Sequence, residues 1–79
     1  MALTRQTLTR YLVEKQGVDA HALADGPLLF TSGLLDSFTM VDLILFIEEE
    51  GGFKMRAAEV NLDNLDSIER ILAYADARR

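Results

Sequence analysis

The sequence predicts an all-α fold: a small four-helix bundle with a long loop between its first two helices and a short third helix. Three observations predict it. Apolar residues recur at helical spacing in three separate stretches. Each of those stretches opens on a residue that caps helices well, Thr4, Asp36 or Asp66. Glycines close the first two of them, at Gly17 and at Gly51-Gly52. The chain has 79 residues, which predicts one domain, residues 1–79.

The first helix is expected from about Thr4 to Gln16. Leu8, Tyr11 and Leu12 mark its apolar face, and Gly17 suits the left-handed position beyond its end. Residues 17–36 then form a long connection. Asp25-Gly26-Pro27 is a turn signal, and Leu28, Leu29 and Phe30 form an apolar cluster without helical spacing. That cluster reads as a loop pinned to the core by its own side chains. Loops of this length in a compact domain are often functional.

The second helix is expected to start at Asp36-Ser37, with Asp36 as its cap, and to end near Gly51-Gly52. At 100° per residue, Met40, Leu43, Ile44 and Ile47 share the core face. Phe38, Val41 and Leu45 fall on a neighbouring arc bordered by Asp42 and Glu49. The helix is therefore apolar over more of its circumference than one core face requires. A short helical turn is expected around Arg56 to Val60. The last helix is expected from Asp66-Ser67, with Ile68, Ile71, Leu72 and Ala75 as its buried stripe and Arg78-Arg79 suiting its C-terminal end.

Composition narrows the function. Eight Lys and Arg against thirteen Asp and Glu leave a net charge of −5, which disfavours nucleic-acid binding and favours partners with basic patches. There is no cysteine, hence no disulfide and no thiolate nucleophile or metal ligand in the chain itself. His21, the single histidine, sits in a polar loop and reads as solvated, so neither a metal site nor a Ser-His-Asp triad is expected. No signal peptide or membrane span is read, which makes a soluble, cytoplasmic monomer the expectation.

An Asp-Ser pair opening a helix is by itself only a cap. Here a long loop precedes Ser37, a partly apolar helix follows it, and acidic residues flank that helix. The run Gly33-Leu34-Leu35-Asp36-Ser37-Phe38, with Val41-Asp42-Leu43 and Ile47-Glu48-Glu49-Glu50 after it, resembles the attachment site and recognition helix of acyl carrier proteins. The resemblance extends to Leu65-Asp66-Ser67-Ile68 at the start of the last helix. Many fatty-acid carriers place the glycine three residues before the serine. Gly33 stands four before Ser37, a spacing more like that of free-standing aminoacyl, D-alanyl or peptidyl carriers, and Phe38 stands where the family often has Leu or Met.

The resemblance implies an acyl-carrier-like bundle and a non-enzymatic role. Ser37, with Asp36 beside it, would receive 4′-phosphopantetheine from coenzyme A through a phosphopantetheinyl transferase. The arm would hold acyl or aminoacyl groups as thioesters for a loading enzyme and for downstream biosynthetic enzymes. Their cargo chemistry stays open between fatty acid, polyketide and nonribosomal peptide synthesis. Glu48, Glu49 and Glu50 face the negative end of the helix dipole, where stability alone would favour Lys or Arg. This points to Asp42, Glu48 and Glu49 as carboxylates for basic partners, with Phe38, Val41 and Leu45 as the apolar contact between them. The alternative reading is a non-catalytic helical interaction module in which Ser37 serves only as a helix cap. A hydrolase using Ser37 is disfavoured because no base is placed to activate it.

Overall fold

The computed structural model describes residues 3–78. Its elements, in chain order, are α1 (Arg5–Gln16), α2 (Ala20–Ala24), α3 (Ser37–Gly51), a 3-10 turn (Ala57–Glu59), α4 (Leu62–Leu65) and α5 (Ile68–Arg78). The all-helical bundle expected from the sequence is the architecture found.

The long helices begin and end where their capping residues dictate. Thr4 and Thr7 form a reciprocal box: the Thr7 N–H donates to Thr4 Oγ1 at 3.1 Å and the Thr4 N–H to Thr7 Oγ1 at 3.0 Å. This satisfies donors that the first helical turn leaves without partners. Helix α3 ends on Gly52, whose φ of 73° is left-handed and whose N–H reaches Glu48 O at 2.9 Å. A residue with a Cβ is strained in that conformation, so the glycine fixes where the helix stops. At α5 the Ser67 hydroxyl accepts the Arg70 N–H at 3.1 Å, which puts the cap on Ser67 and the first helical residue at Ile68. Arg79 lies outside the described residues; Arg78 does close the helix, and its Nη2 donates to Lys54 O at 2.6 Å.

The core is one cluster fed by all five α-helices and by the 17–36 connection. Leu8 and Leu12 enter from α1, Leu43 and Ile47 from α3, Leu65 from α4, and Ile68 and Ile71 from α5. Met40 and Ile44 are half-buried against it, so the predicted core face of α3 is the one that packs. Leu72, read as part of the buried stripe of α5, is half-buried, and Tyr74 is buried in addition. Across the top of the bundle Tyr11 of α1 stacks on Phe46 of α3, with ring centroids 4.1 Å apart. Arg5 Nη2 meets Glu69 Oε2 at 2.5 Å, tying α1 to α5.

The connection from 17 to 36 holds more structure than the sequence announced. It contains α2, a single turn capped by Asp19, whose Oδ1 accepts the His21 N–H at 3.0 Å. Five residues with one buried side chain, Leu23, are too few to show a period. The same reason hid α4, four residues capped by Asn61 through the Asn64 N–H. Val18, Leu23, Leu29 and Leu35 all bury in the core, so the connection is clamped along its length. Of the apolar trio, Leu29 is fully buried and Phe30 half-buried, while Leu28 is exposed. Burying one leucine fully contributes about 1.5–3 kcal/mol, enough to hold a loop in place.

Candidate functional site

Ser37 is the first residue of α3 and is exposed to solvent. Asp36 before it is extended, with φ −117° and ψ −177°. Its Oδ1 accepts both the Thr39 N–H and the Thr39 hydroxyl, each at 2.9 Å. These bonds, the backbone one foremost, hold the Asp36 carboxyl below its ordinary value, so it is ionised near neutral pH. The cap thereby binds the carboxylate to Thr39, and Ser37 is exposed beside it. The backbone reaches this point through Gly33, at φ 88°, a conformation that only glycine adopts without strain.

Along the outer side of α3 the predicted arc is bare. Phe38 is 84% exposed, Val41 59% and Leu45 58%. Single exposed apolar residues need no explanation, but three in register on one helix beside an exposed serine form a patch. Asp42 and Glu49 are exposed at its border. Glu48 differs: its Oε2 accepts the Met55 N–H at 2.8 Å, and Lys54 Nζ lies 3.9 Å from Oε1. That carboxylate is engaged within the chain, where it fastens the segment following Gly52 back onto the helix. Sequence reading missed this contact because nothing local signals that the chain doubles back after the glycines.

Beside the arc, a groove of 640 Å³ runs between α1 and α3. Arg10 and Lys15 line it from α1, and Asp42, Leu45 and Glu49 from α3. Tyr11 forms part of its floor and accepts a hydrogen bond from Gln16 Nε2 at 2.7 Å. Burial pushes the Tyr11 phenol up, against the Gln16 hydrogen bond, and the Asp42 charge adds to the rise.

One polar residue near this region was read from the sequence only as a helix start. Asp66 is 2% exposed and sits between α4 and α5. Its Oδ1 accepts the Phe30 N–H at 2.7 Å and the Thr31 N–H at 3.0 Å, its Oδ2 accepts the Thr31 hydroxyl, and its carbonyl accepts the Leu29 N–H at 2.5 Å. Burial pushes this carboxyl up. The hydrogen bonds from Thr31 and Phe30, with the Arg70 charge, outweigh that and bring it below the ordinary value. Among the described residues no cluster of His, Cys, Asp and Glu side chains is arranged to hold a metal ion. No described helix is long and apolar enough to cross a membrane.

The chain is similar to a D-alanyl carrier protein of Abiotrophia defectiva, with 37% identity over 46 residues. The match covers 58% of this chain and 58% of that protein's length. No protein-family model matches the chain. No solved structure matches it either. The likeness, carried by an all-helical fold, supports a carrier-protein family for this chain.

Proposed function

We propose that the chain is a single, non-catalytic carrier domain whose Ser37 takes a 4′-phosphopantetheine arm and whose α3 face docks the enzymes that load and unload it. The observation that carries the reading is the position of Ser37, exposed at the first residue of a 15-residue helix beside an exposed apolar arc. The similarity to a D-alanyl carrier protein supports it independently.

The residues present fit such a group. An anion attached to the Ser37 oxygen sits at the positive dipole end of α3, a setting that contributes about 0.3–1 kcal/mol at an exposed site. Asp36, the residue before Ser37, holds its carboxylate on the Thr39 N–H and hydroxyl. Attachment forms a bond from Ser37 Oγ to phosphorus and breaks the pyrophosphate of coenzyme A; the serine proton leaves to a base of the transferase, and the nucleotide bisphosphate departs. The bound group supplies a terminal thiol, on which acyl or aminoacyl cargo is carried as a thioester. The chain's own part is to hold Ser37 outward and to present a recognition surface.

That surface is Phe38, Val41 and Leu45, with Asp42 and Glu49 as carboxylates for basic partner residues. Glu48 stands at its edge, with its carboxylate bound to the Met55 N–H. An acidic chain steers towards basic partners at low ionic strength. The partners are a phosphopantetheinyl transferase, a loading enzyme and downstream biosynthetic enzymes, met in the cytoplasm by a monomer. Incubation with coenzyme A, Mg²⁺ and a promiscuous phosphopantetheinyl transferase tests the reading by mass spectrometry. Addition of one phosphopantetheine to the wild type and none to a folded Ser37→Ala variant is the expected result. An unmodified wild type favours an interaction module that uses the same arc with Ser37 as part of the helix start.

A further inference from the structure

We propose that Asp66 is a positioning residue for Ser37, holding the loop that delivers the serine to the start of α3. The proposal rests on the reading of Ser37 as the attachment site and adds a residue 29 positions away in sequence. Four donors from three consecutive loop residues converge on Asp66: the N–H groups of Leu29, Phe30 and Thr31 and the Thr31 hydroxyl. The loop is then closed on itself, because the Leu35 N–H donates to Leu29 O at 2.9 Å. Leu35 is buried and directly precedes Asp36, the cap of α3. The Asp66 carboxylate thus holds Phe30 and Thr31, its main-chain carbonyl holds Leu29 beside them, and from Leu29 the path runs through the Leu35 N–H and two buried side chains to the start of α3 at Ser37.

The choice of residue supports a positioning role. Burying a carboxylate is unfavourable unless its lone pairs are filled, and an apolar side chain would pack between α4 and α5 without that cost. A carboxylate offers several acceptor sites around one point, which lets it gather successive donors from a tight bend. Thr31 is itself exposed, so burial of its side chain does not hold it there. The acceptor beneath the bend holds Phe30 and Thr31 in addition to the anchor that buried Leu29 provides.

The test compares transfer of phosphopantetheine from coenzyme A to the full chain and to Asp66→Asn, Thr31→Val and Thr31→Ser, at a temperature where thermal melts show all four folded. Amide spectra of uniformly ¹⁵N-labelled protein are recorded alongside. Asp66→Asn is expected to lower kcat/KM about tenfold, mostly through KM, an order below the loss that a full ångström of misplacement brings at a reacting centre. Thr31→Val is expected to move in the same direction by less, and Thr31→Ser, which keeps the hydroxyl, to retain the wild-type rate. The Ser37 amide signal is expected to shift in Asp66→Asn along with those of Phe30 and Thr31. Wild-type kcat/KM in folded Asp66→Asn, with the Ser37 signal unmoved, overturns the proposal. If the wild type itself accepts no phosphopantetheine, the attachment reading fails, and the spectra alone then decide: a shifted Ser37 amide upholds the positioning and an unmoved one overturns it.

Discussion

Replacing Asp66 by alanine removes three acceptor contacts at once, and the loss of stability follows from their geometry. The carboxylate takes the Phe30 N–H, the Thr31 N–H and the Thr31 hydroxyl. Hydrogen bonds to a charged group contribute about 1.5–3 kcal/mol each, so the gross loss is at least ~4 kcal/mol. Two effects reduce it. Alanine does not incur the desolvation of a buried carboxylate. Thr31 is exposed, so its freed donors turn to water. The net destabilisation is about 2–3 kcal/mol. In a domain of this size that lowers Tm by roughly 10–20 °C, measured by circular dichroism at pH 7. The pH dependence carries a definite sign. Asp66 is held below its ordinary value in the folded chain, because the Thr31 and Phe30 hydrogen bonds and the Arg70 charge outweigh burial. A depressed folded-state value contributes stability above the unfolded-state pKa of about 3.9 and loses it as pH falls through the folded value. The gap between wild type and variant is therefore full at pH 7 and narrows below about pH 4. A loss under ~0.5 kcal/mol, or a gap that stays constant on acidification, refutes the argument.

Further predictions concern the α3 surface and the core. Reversing charge at Asp42 and Glu49 to Lys is expected to slow phosphopantetheinyl transfer about tenfold at low salt, with the difference shrinking at high salt as exposed charges are screened. The same Glu49 change places a cation near the C-terminal end of α3 and is expected to leave Tm unchanged or slightly raised, which separates recognition from stability. Ile47→Ala empties a fully buried position and is expected to lower stability by about 3 kcal/mol in urea melts. That is a large share of the roughly 5–15 kcal/mol available to a small domain.

Much of the molecule was legible because its signals are local. Thr4 and Asp36 cap by contacts spanning three residues, and Gly17 and Gly52 stop helices by their own conformation. The exposed arc of Phe38, Val41 and Leu45 was legible because α3 is long enough for its period to separate two apolar faces. The short helices α2 and α4 were not, since one turn cannot show a period and their caps, Asp19 and Asn61, look like loop residues. Asp66 was read as a helix start because its partners lie 35 and 36 residues away, a separation that a single sequence does not reveal. The engagement of Glu48 with the Met55 N–H was hidden for a related reason: it depends on the reversal of direction at Gly52. Sequence locates the serine, its helix and the apolar anchor of its loop; the hydrogen bonds that tie that loop to Asp66 come only from the fold.

The most direct measurement is the intact mass of the purified chain after exposure to coenzyme A, Mg²⁺ and phosphopantetheinyl transferase, followed by peptide mapping. A gain of one phosphopantetheine, mapped to the peptide containing Ser37, is the predicted outcome. A chain that keeps its unmodified mass, or that carries the group on Ser32 or Ser67 instead, contradicts the account.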